Sequence, residues 1–232
     1  MTNILFVCHG NICRSPTAEF LMKEIVKKAG LEDEFYIASA ATSTEELGNG
    51  IYPPSRKLLN AYGIDCSAKR ARQITSRDYQ DYDYLIGMDR FNGRNMRRWY
   101  GDDPEGKICN LLDFAGRTGE EVADPWYSGE FELTWKDVMD GCAGLLKELH
   151  GITVLDFSLC TRKDELYKEL RRKMGWKEWY GDNLDALWDV LTGLEHEGTK
   201  FVIMPPFPNA GEGICSYVNK IEDCFKEAGK LC

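Results

Sequence analysis

The chain is poor in histidine and has no long apolar run. Only three of its 232 residues are histidines (His9, His150 and His196), and its nine cysteines include no Cys-x-x-Cys pair. A zinc site of His/Cys type needs several such ligands at close spacing, so we expect neither a metal nor a cofactor. No stretch of about 18 apolar residues occurs, so no membrane span is expected.

Basic charge is also scarce. Lysine and arginine total 29 against 38 aspartate and glutamate, a net charge of −9. A nucleic-acid binder would carry a basic surface, so we expect no nucleic-acid partner. The odd cysteine count favours reduced thiols, and the start Met1-Thr2-Asn3 lacks the basic residues of a signal peptide. Both features predict a cytoplasmic protein.

Short apolar runs alternate with helical periodicity, which predicts an α/β fold with an open parallel sheet and helices on both faces. The predicted strands of the first half are residues 3–8, 36–39, 84–88 and 107–111. The first predicted helix follows Ser15-Pro16, with Ser15 as its N-cap. Two more are predicted at residues 56–62 and 134–149, and residues 47–54 are predicted to form a loop.

The same alternation restarts at Gly151. Strands are predicted at 152–157 and 201–204, and helices at 163–174, 183–191 and 217–228. We therefore expect two domains, residues 1–150 and 151–232, the second a smaller α/β domain with a short parallel sheet.

The most informative motif lies between the first strand and the first helix. It reads Cys8-His9-Gly10-Asn11-Ile12-Cys13-Arg14-Ser15. Backbone N–H groups of such a loop converge at a helix N-terminus and bind a dianionic phosphate, and the same field favours a cysteine thiolate. Arg14 offers a planar fork to two phosphate oxygens, and the Ser15 hydroxyl can donate to the Cys8 sulfur.

Two other interpretations of this motif exist. A buried cysteine beside a surface arginine would match the bare spacing by chance, but the glycine, serine, proline and strand–loop–helix context favour the functional interpretation. A Cys/His dyad is a poor alternative, because His9 is adjacent to Cys8 and cannot easily reach its sulfur. The motif predicts phosphate binding by residues 9–15 and nucleophilic attack by Cys8.

Several further stretches form a pattern together with this loop through their order and spacing along the chain. They are Pro16, Ala18 and Glu19, then residues 39–43 with Gly48-Asn49, residues 71–74, Met88-Asp89 with Asn92, and Asp124-Pro125-Trp126-Tyr127. With the loop, they resemble the low-molecular-weight protein tyrosine phosphatases over about residues 2–150.

The resemblance implies a two-step hydrolysis of phosphotyrosine monoesters, with phosphotyrosine proteins or small aryl phosphates as the substrates. Cys8 would form a phosphocysteine, and Asp124 would protonate the leaving phenolate and then activate water. Arg14 and the loop amides would hold the phosphoryl oxygens. In this family a cysteine at the place of Cys13 can form a disulfide with the nucleophile, which predicts reversible redox inactivation. By itself, Cys13 is most simply a small buried residue.

Substrate choice rests on four positions. Ile12 is similar to the tyrosine phosphatases, whereas relatives acting on phosphoarginine tend to have threonine there. Trp126 and Tyr127 would form the wall of the substrate pocket and stack on a phenyl ring. Glu45 stands where better-known members have an aromatic residue, and it would disfavour acidic peptide near the pocket.

Two departures concern other positions. Lys69 stands near where some members have a structural histidine. Related arsenate reductases add redox cysteines around residues 80–95, and this chain has none there. Arsenate reduction is therefore the weaker alternative.

The second half contains the stretch 179–189, which reads WYGDNLDALWD. On a helix beginning at Asn183, Leu184, Leu187 and Leu191 share the core face, and Asp185, Trp188 and Asp189 share another. From charge alone, an ordinary solvated face is favoured. The stretch, however, resembles barstar, the intracellular inhibitor of the ribonuclease barnase.

This second resemblance implies an acidic face that mimics RNA phosphates and binds a basic ribonuclease. The implied protein-binding residues are Trp179, Asp185, Trp188, Asp189, Gly193 and Glu227. Another basic protein as the partner, docking of substrates, or regulation of the first domain are the alternatives. Ribonuclease inhibition as the chain's main role is the alternative to the phosphatase function.

Overall fold

The structure, a computed structural model, describes residues 1–177, 181–193 and 198–232. The chain divides into two compact units. The first comprises Met1–Lys27 and Leu31–Leu145, and the second comprises Lys28–Gly30 and Leu146–Cys232. The domain boundary at residue 150 stays a prediction.

The first unit is built on a parallel sheet. Its strands are β1 (Thr2–Cys8), β2 (Phe35–Ala41), β3 (Tyr84–Gly87) and β4 (Ile108–Asn110), in the order β2-β1-β3-β4. The interior of β1, Ile4–Val7, is completely buried, as a continuous apolar run in a strand covered on both faces requires. The predicted α/β fold class is confirmed.

Helices lie between these strands or follow the last of them. They are α1 (Arg14–Lys28), α2 (Pro53–Ala61), α3 (Asp78–Asp81), α4 (Arg90–Trp99), α5 (Pro125–Ser128) and α6 (Phe131–His150). Helix α6 lies so close to the backbone of residues 111–115 that a Cβ atom at Gly144 would overlap the Phe114 carbonyl. Glycine is therefore required at that position.

Two predicted helix starts in this unit were wrong, and one long helix was missed. Helix α1 begins at Arg14, so Ser15 lies within its first turn and is not its N-cap. Helix α2 begins at Pro53, inside the predicted loop, because proline already has the φ angle of a first helical turn. Helix α4 was not predicted, although Asp89 caps its N-terminus by accepting a hydrogen bond from Asn92 N.

The strand order places the functional loop. Strand β1 pairs with β2 on one side and with β3 on the other, so the sequence order reverses at β1. In open parallel sheets, ligands bind beyond the carboxyl ends of the strands at such a reversal. Cys8 is the last residue of β1, and Asp89 follows the end of β3.

The second unit has a smaller parallel sheet of β5 (Thr153–Asp156) and β6 (Phe201–Met204). Its helices are α7 (Lys163–Met174), α8 (Leu184–Thr192) and α9 (Glu212–Glu227). They pack on the sheet through a shared apolar core that includes Leu166, Leu187 and Phe225. In addition, Leu231 forms a parallel bridge with Phe201. Across both units, no described helix is long and apolar enough to cross a membrane.

Candidate active site

Cys8 lies buried at the carboxyl end of β1, with its sulfur facing the loop that follows. Asn11 N donates a hydrogen bond to Cys8 Sγ over 3.2 Å, and Ser15 Oγ donates one over 3.1 Å. Donors of this kind stabilise negative charge on the sulfur. The two hydrogen bonds therefore hold the Cys8 sulfur against the loop.

The loop also presents backbone donors that the protein leaves unused. Within the described ranges, the following loop N–H groups have no hydrogen-bond acceptor: Gly10, Ile12, Cys13, Arg14 and Ser15. The last two open helix α1, whose dipole adds positive potential at the same place. Unpaired N–H groups around a helix N-terminus form a site for an anion.

Asn11 fixes the shape of this loop. Its φ angle of 58° lies in the left-handed region, which asparagine tolerates better than most residues. Its buried side-chain amide donates to Ser15 Oγ over 2.9 Å and to Ser39 Oγ over 2.8 Å, and its Oδ1 accepts from Arg72 N. One side chain thus joins the loop to β2 and to the segment before α3.

A buried ion pair lies behind Asn11. Ser39 Oγ donates to Glu19 Oε2 over 2.6 Å, and Lys69 Nζ approaches the same oxygen to 2.6 Å. Burial raises the pKa of Glu19, but Lys69 and Lys23 outweigh burial and hold that pKa below its usual value. Glu19 is therefore an ionised acceptor at the end of a hydrogen-bond chain that begins at Cys8.

Arg14 is held between two carboxylates. Its Nη1 lies 2.7 Å from Asp89 Oδ2, and its Nη2 lies 2.7 Å from Asp124 Oδ2. Burial lowers the pKa of Arg14, but the charges of Cys8, Asp124 and Asp89 outweigh it and raise that pKa further. The guanidinium is a permanent cation whose position is fixed from β3 and from α5.

These groups share one pocket of about 520 Å³. Cys8, Arg14 and Asp124 line it, and the exposed rings of Trp126 and Tyr127 form part of its wall. Asp124 is the N-cap of α5, with Oδ1 accepting from Trp126 N over 3.1 Å. The arrangement brings together a nucleophile, a cation and a carboxyl group that can transfer a proton.

The rim of the pocket is charged. Glu45 lines it and lies 3.1 Å from His9 Nε2 in an exposed contact. The His9 side chain therefore points to the rim, not to the Cys8 sulfur. Glu46 lines the pocket as well, and the ring of Phe91, in the first turn of α4, supplies an aromatic group that was not predicted.

Cys13 also lines the pocket but has a different environment from Cys8. Burial, then the negative charge of Cys8, raises the pKa of Cys13 to about 12. Cys13 is therefore a neutral thiol near neutral pH.

In the described part of the chain, no group of three or more potential ligands could hold a metal ion.

Comparison with known families decides the class of this site. The model of the low molecular weight phosphotyrosine protein phosphatases matches residues 3–152, more than half of the chain. The chain belongs to the low molecular weight phosphotyrosine protein phosphatase family. The barstar (barnase inhibitor) model matches residues 151–231, so the predicted combination of the two families in one chain is confirmed.

Individual relatives agree with this assignment to the phosphatase family. The Bacillus subtilis low molecular weight protein-tyrosine-phosphatase YfkJ is 35% identical over 150 residues, which are 64% of this chain and 96% of YfkJ. Its crystal structure gives a TM-score of 0.62 and covers 65% of this chain and 96% of YfkJ. The chicken low molecular weight phosphotyrosine protein phosphatase is 35% identical over 152 residues, 64% of this chain and 96% of its own.

One similar solved structure has a name that points to a different substrate. The crystal structure of the Drosophila arginine phosphatase DARP has 29% identity and a TM-score of 0.59, and it covers 65% of this chain and 98% of its own. The predicted enzyme class, a protein tyrosine phosphatase, is confirmed.

The second unit of this phosphatase presents the acidic face expected on α8. Asp185, Trp188 and Asp189 are exposed, whereas Leu187 and Leu191 are buried in the core. Helix α9 packs on α8. Burial raises the pKa of Cys224, and the charges of Glu227, Asp223 and Asp185 raise it further. Carboxylates of both helices therefore converge there.

Two residues implied for this face differ in how they can be placed. Gly193 follows the last turn of α8 as its C-cap residue and is exposed. Trp179 lies outside the described residues.

Three phosphatase-site contributions were missed from the sequence. Asp89 and Glu19 entered the sequence analysis only as matching positions, and Ser39 only as the start of a matching stretch. Their roles depend on contacts between elements far apart in the chain, such as the 2.7 Å contact of Asp89 with Arg14. The signal for Asp89 was its N-cap position before Asn92.

The Glu19–Lys69 pair generates a stability prediction. Lys69→Met leaves Glu19 buried with weaker compensation, so the free energy of unfolding should fall by about 3 kcal/mol at pH 7, as measured by urea denaturation. The low pKa of Glu19 in the folded state stabilises the wild type above about pH 4.3 and ceases to do so as the pH falls through that lowered value. In the variant, burial would raise this pKa, so the deficit should shrink on acidification.

Lys23→Met is the matched control, because Lys23 pairs with the other oxygen of Glu19 from a half-exposed side chain. Its cost should stay below about 1 kcal/mol. Equal losses in the two variants, or a Lys69→Met deficit independent of pH, would contradict the importance of the buried pair.

Proposed function

We propose that the first unit hydrolyses phosphotyrosine monoesters through a phosphocysteine intermediate. The observation that carries the proposal is the convergence of Cys8 Sγ, the Arg14 fork and the Asp124 carboxyl on one amide-lined pocket. A phosphoryl group seated on the unpaired N–H groups of residues 10 and 12–15 would have its phosphorus above Cys8.

In the first step, the Cys8 thiolate attacks phosphorus while the bond to the tyrosine oxygen breaks. The leaving phenolate needs a proton, and Asp124 is the carboxyl group placed to give it. Without substrate, Asp124 contacts Arg14. A bound dianion takes over the Arg14 fork and replaces Asp124 as the partner of the guanidinium.

In the second step, water attacks the phosphocysteine and the Cys8 thiolate leaves. Asp124, now deprotonated, accepts a proton from that water. The hydrogen bonds from Ser15 and Asn11 N to the sulfur stabilise the departing thiolate. Arg14 and the backbone N–H groups hold the equatorial oxygens while charge moves through both steps.

The pocket wall supports an aryl substrate. Trp126 and Tyr127 expose ring surface beside Asp124, and Phe91 adds a third ring, so a phenyl group finds stacking partners. The name of the Drosophila relative makes phosphoarginine the second candidate. Ile12 at the loop and these aromatic walls favour phosphotyrosine.

The fall in rate on removal of the general acid should depend on the leaving group. Cys8→Ser should abolish release of p-nitrophenol from p-nitrophenyl phosphate. Asp124→Asn should lower kcat about 10²- to 10⁴-fold for phenyl phosphate, and less for p-nitrophenyl phosphate, whose phenolate leaves without help. Steady-state rates on the two esters measure the difference.

Asp113→Asn is the control, a carboxylate that caps the 3₁₀ turn at Leu111–Ala115 and does not line the pocket. An equal loss on both esters would remove Asp124 as proton donor. Faster release of phosphate from phosphoarginine than from phosphotyrosine would replace the proposed substrate.

We further propose that Cys13 protects Cys8 from irreversible oxidation. Peroxide converts the Cys8 thiolate to a sulfenic acid, and the Cys13 sulfur then displaces water to form a disulfide. Both thiols line the same pocket. Because the pKa of Cys13 is about 12, this second step should accelerate as the pH rises.

The redox proposal predicts a mass difference. After mild peroxide, the wild type should lose two hydrogens and regain full activity with dithiothreitol, whereas Cys13→Ser should gain two or three oxygens at Cys8 and stay inactive. Cys142→Ser, at a buried thiol outside the pocket, should behave like the wild type. Equal recovery of activity by Cys13→Ser and wild type would rule out the protective role.

For the second unit, we propose binding of a basic protein, with a ribonuclease as the first candidate. The exposed carboxylates of Asp185, Asp189 and Glu227 and the half-exposed ring of Trp188 lie on helices α8 and α9, which pack together. A face of this kind offers charge for steering and an aromatic anchor for affinity.

The full chain should bind barnase in a salt-sensitive manner, measured by titration calorimetry at low and high salt. Asp189→Ala should weaken the complex at least tenfold. Asp164→Ala, on helix α7, is the control for removal of an exposed carboxylate and should change little. Binding that survives Asp189→Ala, or no binding at all, would exclude this ribonuclease site.

A further inference from the structure

Helix α4 carries a concentrated positive charge. Four arginines, Arg90, Arg94, Arg97 and Arg98, occupy positions i, i+4, i+7 and i+8, which share one face of an α-helix. No acidic residue occurs in the helix. We call these four residues the arginine face. In a chain of net charge −9, such a face is a local exception to the overall charge.

Intramolecular pairing accounts for only part of this charge. Arg90 makes an exposed 3.6 Å contact with Glu121. Burial raises the pKa of Asp103, but hydrogen bonds and the charge of Arg97 outweigh burial and lower that pKa. Within the described ranges, neither Arg94 nor Arg98 has a carboxylate at ion-pair distance.

The helix dipole does not explain the arrangement either. Basic residues in a last turn stabilise the negative end of the dipole, which accounts for Arg97 and Arg98. Arg90 is in the first turn and Arg94 in the second, nearer the positive end, where a cation gains nothing from the dipole. Arg94, which has no carboxylate at ion-pair distance in the described part of the chain, is therefore available to an external anion.

The arginine face is continuous with the pocket. Phe91 and Asn95, each one residue after an arginine of the face, line the pocket with Cys8. The guanidinium carbons of Arg90 and Arg94 lie 5.0 and 5.1 Å from the centre of the Phe91 ring. The exposed Phe91 ring therefore lines the pocket and also contacts two arginines of the face.

We propose that the arginine face of α4 docks an acidic segment next to the phosphotyrosine of a protein substrate. This inference rests on the proposed phosphatase function and adds a substrate class to it. From Arg90 to Arg98 the helix rises about 12 Å, the length of about four residues of extended peptide. The phosphotyrosine ring lies against Phe91, and carboxylates of the neighbouring residues meet Arg94 and Arg98.

A peptide fits better than a longer polyanion. Glu45 and Glu46 line the same pocket, so a nucleic acid or an anionic membrane surface lying across it would meet repulsion there. A peptide can place its acidic residues on one side of the phosphotyrosine only. The occupant is therefore a short acidic stretch and not an extended anionic surface.

The test compares three phosphotyrosine peptides of equal length. One carries four glutamates before the phosphotyrosine, one carries them after it, and one has glutamines at both places. One of the two acidic peptides should show a kcat/KM about tenfold above the glutamine peptide at low salt, about threefold for each of two exposed charge pairs. The advantage should disappear at 0.5 M NaCl, since exposed charges are screened.

The double variant R94Q/R98Q should lower kcat/KM for the favoured acidic peptide to that of the glutamine peptide. Its rate on p-nitrophenyl phosphate should be unchanged, because neither arginine lines the pocket. R56Q/R77Q, at two exposed arginines also outside the pocket, removes the same charge and should keep the preference.

Equal kcat/KM for all three peptides in the wild type would overturn the docking face and leave the phosphatase proposal standing. No hydrolysis of any of them would overturn both. A preference that survives R94Q/R98Q overturns the assignment to α4. Loss of binding to anionic vesicles or single-stranded RNA in that variant, with the peptide preference intact, would assign the face to a polyanion instead.

Discussion

The loop of residues 8–15 leaves the backbone N–H groups of residues 10 and 12–15 without internal acceptors, so it has to be held in place from behind. Here a buried hydrogen-bond chain does this, running through Lys69, Glu19, Ser39, Asn11 and Ser15 to the Cys8 sulfur. Every polar member is paired, which a buried network requires if it is to rigidify rather than destabilise. The free donors of the loop can then face the pocket without loss of shape.

The sheet supplies the second requirement, a fixed guanidinium. Arg14 follows the loop from β1, and Asp89 follows β3, the strand paired with β1. The same carboxylate caps helix α4, with one oxygen on Asn92 N and the other on Arg14. Asp89 therefore helps to position both Arg14 and the helix that forms part of the pocket wall.

Local signals made much of this predictable. The bounds of β6 and α7 match the predictions, since a short apolar run and a strongly periodic segment are each decided locally. Helix α4 was missed because its sequence, with four arginines, two asparagines and a glycine, has a weak apolar stripe. The pairing of Lys69 with Glu19 could not be predicted, because it joins residues 50 positions apart through tertiary packing.

Position 11 shows how narrow such a design leaves the choice of residue. Its backbone is left-handed, and its amide both donates and accepts. Glycine would satisfy the backbone but supply no side chain, aspartate would tolerate the conformation but offer acceptors to hydroxyls that need donors, and alanine would meet neither demand. Among the twenty amino acids, asparagine alone combines the required torsion with both hydrogen-bonding roles, so random substitution here has almost no neutral outcome.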